Sequence, residues 1–257
     1  MLPRFALTAL LLSLLFASGS VSAYFNSTYL ATTIFLSNST SAHVVESINL
    51  YVSNASVYTY DQDRQALNSS LGAWRGATGS QYLVEHVLNP KGSISNFTFI
   101  PGPIVPGSNG NGYASLTMSY DVSNVTSVLN IAPRKFEYAF NASVFNFLHT
   151  SNGQNLLPNT RLTIAVPSGS QVLAPVSPPP DYPQPNLIGH YNSTTFAWFS
   201  GESLQSFSFI YIVTETPQQE VVQYFGSLYR NYAPFVYLVS LLLLAIAGYY
   251  VYIRVFG

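Results

Sequence analysis

Short stretches rich in Val, Ile, Thr, Tyr and Phe alternate with turn-forming residues along the central part of the chain. Such stretches fit a pleated, half-buried surface and are typical of β-strands joined by turns. The stretches that this pattern predicts as strands are residues 28–36, 43–52, 81–88, 93–100, 113–122, 135–148, 161–166, 195–200 and 204–214. No repeat of fixed period accompanies them, which argues against a solenoid or a propeller.

This succession of strands predicts a mainly β protein with antiparallel sheets. The expected architecture is an antiparallel β-sandwich over residues 24–215, either one Ig-like or larger domain or two small subdomains. The clearest strand is "LQSFSFIYIV", in which Phe207, Phe209, Tyr211 and Val213 share one face at a period of two. Because the intervening positions are also apolar, we expect this strand to be central and covered on both faces.

Two stretches interrupt the strand pattern. Residues 101–113 are rich in Pro, Gly and Asn and predict a loop. Residues 174–186 contain six prolines, which cannot donate to a sheet ladder and favour extended polyproline. The second stretch is either an interdomain linker or a long loop, and we favour the loop because too few residues follow it to form another sandwich.

Residues 1–23 have the pattern of a secretory signal peptide. An early cation, Arg4, precedes an apolar run over residues 5–17, and the segment ends in Val-Ser-Ala. Such a run is too short to cross roughly 30 Å of hydrocarbon as a helix, and the small residues at its end suit a signal peptidase. We therefore expect the mature chain to begin at Tyr24, with an uncleaved N-terminal anchor as the alternative.

Near the other end, residues 231–253 carry no charge and are largely apolar. A helix of this length reaches about 35 Å at roughly 1.5 Å per residue, and tyrosines near both of its ends suit the membrane interfaces. The pattern predicts one transmembrane helix at the cell membrane, with a buried core helix as the alternative. The signal peptide then places the N-terminal domain outside the cell and residues 254–257 in the cytoplasm.

Residues 216–230 predict a short amphipathic stalk helix between the β domain and the span. Thr216 is a candidate cap, Pro217 suits the first helical position, and Gln219 stands where a capping box needs it. Pro234 removes a backbone hydrogen bond and predicts a kink after the stalk. The stalk either binds a partner or packs back on its own β domain.

Small residues within the predicted span offer a packing face for another helix, because they let backbones approach closely. These residues are Ser240, Ala245, Ala247 and Gly248. We expect lateral contact with another envelope or membrane protein, or self-association.

Sugar-acceptor triplets of the form Asn-x-Ser/Thr are roughly twice as frequent as chance placement would give. The acceptor asparagines are Asn26, Asn38, Asn54, Asn68, Asn96, Asn124, Asn141 and Asn192. All of them lie on the side of the span that is expected to be extracellular. N-linked glycans are therefore expected, and no other cofactor is.

The low content of charged residues also supports an extracellular location for the β domain. Charged residues make up 7% of the chain, against about a quarter in ordinary soluble domains, and there is no Cys. Hydroxyls, amides and sugars stay hydrated in acid, whereas carboxylates lose their charge there. In layout and composition the whole chain resembles single-pass cell-surface glycoproteins of thermoacidophilic archaea, although it carries no diagnostic motif. A sugar-coated, β-rich surface in any organism is the alternative.

Enzyme motifs were sought without success, so we expect no catalytic residue, no bound metal and no enzymatic activity. The four histidines are scattered, and "DQDRQ" at residues 61–65 lacks the further ligands of a calcium loop. Glu85 and His86 would point to opposite faces of a predicted strand and could not act as a local pair. A glycosidase-like pair of distant carboxylates stays open. No nucleic-acid signature is present.

One exposed aromatic residue is a candidate for surface binding. Trp74 and Arg75 lie between glycines in "GAWRGATG", which predicts a loop, although simple packing of Trp74 is the favoured interpretation. Trp198 is expected in the core.

Three functional classes follow from these observations. The favoured class is a non-enzymatic cell-envelope glycoprotein, either a surface-layer-associated anchor or the ectodomain subunit of a membrane complex. A stalked carbohydrate- or ligand-binding module would need an exposed aromatic platform. A membrane-tethered hydrolase, the least favoured, would need converging carboxylates or a Ser/His pair in a cleft.

Overall fold

The computed structural model describes residues 25–67, 70–80, 82–90, 94–150, 153–186 and 191–256. The predicted signal peptide, residues 1–23, and the predicted sugar acceptor Asn68 lie outside the described residues.

Strands dominate the described residues. They are β1 (Phe25–Leu36), β2 (Ala42–Val52), β3 (Ile94–Pro101), β4 (Val105–Pro106), β5 (Gly112–Val122), β6 (Thr126–Ala132), β7 (Lys135–Phe140), β8 (Leu148–Thr150), β9 (Gly153–Asn155), β10 (Thr160–Ala165), β11 (Gln171–Ser177), β12 (Thr195–Phe199) and β13 (Ser208–Thr214). The α-helices are α1 (Val57–Ala66), α2 (Leu71–Thr78) and α3 (Pro217–Phe256). The predicted mainly β class is confirmed.

The largest sheet has the strand order β12-β10-β1-β2-β5-β3, and β4 also pairs with β5. Its β1 and β10 run parallel, whereas its other pairs are antiparallel. The prediction of wholly antiparallel sheets was therefore wrong for this pair. A parallel neighbour requires a long crossover connection, and residues 37–159 run between β1 and β10.

A second sheet has the order β11-β13-β7-β6, and β8 pairs with β9. The two larger sheets share one hydrophobic core. Across this core the rings of Phe196 and Phe209 lie 5.1 Å apart, edge to face, and so do the rings of Trp198 and Phe207. The predicted core position of Trp198 is confirmed, since this side chain is fully buried.

Strands β2 and β5 at the centre of the large sheet alternate strictly between a buried and a solvent-facing side. The buried side of β5 is formed by Gly112, Ala114, Leu116, Met118, Tyr120 and Val122. The buried side of β2 is apolar as well, except for Glu46. The opposite side of both strands carries polar side chains, so the sheet separates a core from a hydrophilic outer surface.

Several predicted strand bounds were wrong. Residues 82–88 form turns and a single bridge instead of a strand, because the backbone N–H of His86 donates to the Glu46 carboxylate. The predicted stretch 135–148 is interrupted after Phe140 by a 3₁₀ turn. Strand β6 was not predicted. Strand β11 lies partly within the proline-rich stretch, where Pro175 falls in an irregularity of pairing on an edge strand.

Helices α1 and α2 were also not predicted. Helix α2 begins at Ser70, whose hydroxyl accepts from the N–H of Ala73, and ends at Gly79 in the left-handed conformation. Its Trp74 is fully buried, with its ring 5.3 Å from that of Tyr60 on α1 and 6.3 Å from that of Phe25 on β1. The loop expected around Trp74 was thus wrong, because the indole anchors a helix to the large sheet.

Helix α3 starts at Pro217, as the capping pattern predicts, and runs for 40 residues. Its backbone leaves helical geometry at Tyr232, close to the kink expected from Pro234. Among the described residues, no helix is both long enough and apolar enough to cross a membrane.

The packing of α2 generates a stability prediction. We expect Trp74→Ala to lower the free energy of unfolding by about 3–5 kcal/mol, because it removes a large side chain and leaves a cavity among aromatic rings. Tyr58→Ala on α1, where the side chain is 73% exposed, is the control and should stay within about 0.5 kcal/mol. Urea unfolding of both full-length variants measures the difference, and equal losses would contradict the anchoring role of Trp74.

Candidate functional site

Four polar side chains meet on the outer surface of the large sheet. Ser119 and Asp121 lie two residues apart on β5 and therefore point to the same side. On β2, His43 pairs with Asp121 across the strands and is diagonal to Ser119. Asn96 joins them from β3. We call these four residues the surface quartet.

Hydrogen bonds connect the surface quartet in one line. Asn96 Nδ2 donates to Asp121 Oδ2 over 2.6 Å, and His43 Nδ1 lies 2.7 Å from Asp121 Oδ1. On the other side of the imidazole, Ser119 Oγ lies 3.1 Å from His43 Nε2. The order along the line is amide, carboxylate, imidazole and hydroxyl.

A β-bulge positions Asn96. The pairing of β3 with β5 shifts between Ser95 and Thr98, and Asn96 has a φ of 52°, which asparagine tolerates better than most residues. Hydrogen bonds from Asn96 and then from His43 lower the pKa of the Asp121 carboxyl. Asp121 therefore stays ionised further into acid than an ordinary aspartate.

The charge on Asp121 fixes the proton on the imidazole. A carboxylate only accepts, so a neutral His43 carries its proton on Nδ1 and leaves Nε2 as an acceptor facing Ser119 Oγ. This is the arrangement in which a histidine can remove a proton from a hydroxyl group. The surface quartet is open to solvent, with the His43 side chain 48% and the Asp121 side chain 35% exposed.

A groove of about 480 Å³ lies beside His43 and Asp121. Its apolar lining comes from Phe35, Leu36, Ala42 and Val122, and serines complete it. The groove gives the reactive groups a neighbouring surface on which a small ligand can rest.

A second cluster lies on the buried side of the same strands. The Glu46 carboxylate accepts from the backbone N–H of His86 over 2.9 Å, and its other oxygen lies 2.5 Å from His86 Nδ1. The hydroxyl of Tyr120 donates to the same carboxylate and accepts from the N–H of Val87 over 3.3 Å. We call Glu46, His86 and Tyr120 the buried triad.

The buried triad is closed to solvent. Glu46 and Tyr120 are fully buried, and the ring of His86 stacks on that of Phe147 at 5.1 Å. Burial, followed by the nearby Glu46 carboxylate, raises the pKa of Tyr120 far above its ordinary value, so its hydroxyl stays a donor. His86 Nε2 has no hydrogen-bond partner within the described part of the chain. This cluster holds the segment around His86 on the sheet and is not open to a substrate.

Trp74, the candidate for surface binding, forms no exposed aromatic site, in agreement with the favoured interpretation of simple packing. Trp74 is in the core, whereas Arg75 is exposed and its Nε donates to the carbonyl of Leu83 over 2.7 Å. The "DQDRQ" stretch lies on helix α1, where Asp61 faces Arg64 at 3.6 Å. Within the described ranges, no three His, Asp or Glu side chains converge as metal ligands.

Every described sugar-acceptor asparagine is exposed. These are Asn26, Asn38, Asn54, Asn96, Asn124, Asn141 and Asn192. Asn38, Asn124 and Asn141 lie near one end of the β domain. Backbone hydrogen bonds connect their segments, because the N–H of Asn141 donates to the carbonyl of Val125, and the N–H of Val125 donates to the carbonyl of Thr40. In Asn141 the side-chain oxygen accepts from Ser143, which leaves the amide nitrogen for modification.

Sequence reasoning missed both clusters for different reasons. Glu46 could have been found, because it is an acid at a core-facing position of the alternating strand "AHVVESINLYV". Ser119 and Asp121 share the polar side of β5, which the alternation also shows. Nothing in the sequence places His43 opposite Asp121 or His86 beside Glu46, because both pairs depend on long-range pairing.

Comparison of the sequence with protein-family models and with curated proteins finds no match. The interpretation of both clusters therefore rests on their own geometry.

The pKa of Asp121 generates a test of the surface quartet. We expect Asn96→Ala to raise the pKa of Asp121 toward its ordinary value, because the variant removes the largest cause that lowers it. The favourable contribution of Asp121 to stability is complete above the unfolded-state pKa of about 3.9, and it is lost as the pH falls through the lower folded-state pKa. Asn96→Ala makes this contribution smaller.

Carboxyl NMR signals followed over pH measure the shift. The matched control is Asn109→Ala, which removes another exposed asparagine of positive φ, outside the surface quartet. An Asp121 pKa that is equal in both variants would show that Asn96 does not hold the carboxylate.

Proposed function

We propose that this chain is a cell-envelope glycoprotein, anchored in the cell membrane by α3, with its β domain displayed outside the cell. Its role is structural or interactive, either as a surface-layer-associated anchor or as the ectodomain subunit of a membrane complex. The observation that carries the proposal is the apolar surface of α3, which is exposed over residues 237–248.

The apolar side chains exposed on α3 are unfavourable if water is the only surrounding phase. Every residue from 237 to 248 is exposed, and the leucines among them reach 72% exposure at Leu244. Burial of apolar surface gains roughly 25 cal/mol per Å², so a row of uncovered leucines favours any apolar phase within reach. Lipid is the phase that accepts apolar side chains on all sides of a helix.

The proposed anchor is the sequence segment 231–253, which includes residues whose side chains lie outside the described part. The absence of charge from this segment is a property of the sequence. The signal peptide proposed for residues 1–23 sets the direction, with the β domain outside. Residues 216–230 form the proposed stalk.

Glycosylation is the second part of the proposal. Seven acceptor asparagines are exposed in the folded domain, so the fold hides none of the described acceptors from a sugar-transferring enzyme. With few charges on the chain, attached sugars and hydroxyl groups would supply much of the hydration of the surface. The shared core of the two larger sheets supports an antiparallel β-sandwich with one parallel pair as the architecture that presents them.

Lateral assembly through α3 is the proposed route to a partner. Ser240, Ala245, Ala247 and Gly248 are all exposed along the helix. At about 100° per residue, Ser240, Ala247 and Gly248 lie within about 100° of one another, whereas Ala245 lies about 140° from Ser240. Three of the four residues therefore share one face on which a second helix can approach closely.

A polar groove supports ligand binding as a second candidate function. The groove has a volume of about 780 Å³ and is lined by Gln171, Asn186, Tyr191, Asn192 and neighbouring residues. Amide and hydroxyl groups around an aromatic ring are the groups that recognise sugars. Titration with oligosaccharides, followed by the NMR chemical shifts of Tyr191, would separate sugar binding from a purely structural role.

The membrane anchor is tested by washing cell membranes with alkaline carbonate. The full-length protein should stay with the membrane, whereas the double variant Leu241→Asp, Leu244→Asp should move to the soluble fraction. Each charge at the centre of a spanning helix costs about 2.5–3.5 kcal/mol on insertion. The control is Val105→Asp, Leu129→Asp, which places the same charges at exposed apolar positions of the β domain.

Two results would contradict the proposal. Release of the unaltered protein by the wash, or equal behaviour of both double variants, would exclude α3 as the anchor. Glycopeptide mass spectrometry of the same native protein tests the glycosylation. Unmodified asparagines at all seven exposed acceptors would contradict the proposal that the protein is glycosylated.

A further inference from the structure

We propose that Ser119 is a nucleophile activated by His43 and Asp121, and that the surface quartet cleaves esters of small acyl groups. This activity goes beyond the proposed envelope role and does not depend on it. It meets the requirement that a tethered hydrolase would have, because Ser119 contacts His43 and His43 lines a groove.

The imidazole of His43 is held between a carboxylate and a hydroxyl group. His43 contacts a carboxylate through Nδ1 at 2.7 Å and a hydroxyl through Nε2 at 3.1 Å. A cross-strand ion pair alone needs only the contact with Asp121. The additional contact with Ser119 Oγ gives the hydroxyl a base in line with an oriented imidazole, which is the relationship that nucleophilic serines require.

Two side chains hold the Asp121 carboxylate in place. Asp121 is held from one side by His43 and from the other by Asn96 Nδ2 at 2.6 Å. A carboxylate fixed in this way holds the imidazole in one tautomer and stabilises it when it becomes protonated. Asn96 is therefore a positioning residue, which acts on the reaction only through Asp121.

His43 is accessible to a substrate from solvent. Ser119 is half-buried and His43 is exposed, and His43 and Asp121 line the 480 Å³ groove. Phe35 forms one wall, with its ring 6.3 Å from the imidazole of His43 and 45% of the residue exposed. An apolar wall next to a polar reaction centre fits a short aliphatic or aromatic acyl group. Among the described residues that line the groove, there is no Lys or Arg that would select an anionic substrate.

The reaction has two balanced steps. In the first, Ser119 Oγ bonds to the carbonyl carbon of the ester, and its proton passes through His43 Nε2 to the departing alcohol as the carbon–oxygen bond breaks. In the second, water gives a proton to His43 Nε2 and attacks the acyl carbon. The carboxylic acid leaves, and Ser119 recovers its proton. Neither step consumes an oxidant, a reductant or a metal ion.

Labelling by a fluorophosphonate tests the nucleophile directly, because this reagent forms a covalent bond with activated serines. The full-length protein in mild detergent at pH 8 should be labelled at Ser119, as identified by peptide mass spectrometry. His43→Ala should slow labelling by about 100-fold or more, the usual contribution of a general base. Ser119→Ala should abolish it.

Matched variants separate catalysis from folding. Ser115→Ala removes a hydroxyl from the same side of β5 without touching the surface quartet, and its labelling should be unchanged. Circular dichroism of each variant verifies the fold. Hydrolysis of p-nitrophenyl butyrate should follow the labelling across the variants, a result that a purely structural ion pair would not produce.

A glycan on Asn96 would lie over this site, so an unglycosylated variant is included. Thr98→Ala removes the acceptor triplet and keeps the Asn96 side chain, whose bond to Asp121 remains. Labelling of Ser119 in the native protein or in Thr98→Ala supports the proposal, and stronger labelling in the variant would show that the sugar shields the site. Absence of Ser119 labelling in both folded proteins would overturn the proposal that Ser119 is an activated nucleophile.

Discussion

A buried carboxylate, Glu46, organises the centre of this protein. It stands at a core-facing position where its neighbours on the same strand are apolar, and a lone charge there would be very unfavourable. The structure compensates with donors from two other parts of the chain, the His86 backbone and imidazole and the Tyr120 hydroxyl. Because these donors must reach Glu46, residues 82–90 are held against the sheet as turns, although their composition favours a strand.

The same strand pairing carries both the buried triad and the surface quartet. With His43 opposite Asp121, Val45 faces Ser119, and Glu46 and Tyr120 fall on the other side of the two strands. A slip of one residue would turn Glu46 toward solvent and His43 toward the core. The bonds that satisfy Glu46 thus also fix the register that places His43 between Ser119 and Asp121. The buried hydrogen bonds of Glu46 therefore help to determine which side chains meet on the outer surface of the sheet.

The sequence predicts the elements whose pattern is local. Strands β2 and β5 follow from strict alternation, and the start of α3 follows from Thr216 and Pro217. Helix α2 escaped prediction because its two glycines and its tryptophan suggest a loop, whereas burial of Trp74 against Tyr60 and Phe25 overrides the weak helix propensity. In both clusters the histidine is 40 or more positions from its carboxylate partner, and only long-range contacts of the folded chain bring the two together.

Hydrogen exchange of the amides around His86 tests the organising role of Glu46 most directly. Glu46→Gln keeps the volume of the side chain but removes its charge and presents a donor to groups that donate already. A loss of about 3 kcal/mol, as for a broken buried ion pair, speeds exchange by about 100-fold through local opening. The account predicts this acceleration at the His86 and Val87 amides, while Glu137→Gln on β7 leaves them unchanged. Equal exchange in both variants would contradict the claim that Glu46 holds this segment on the sheet.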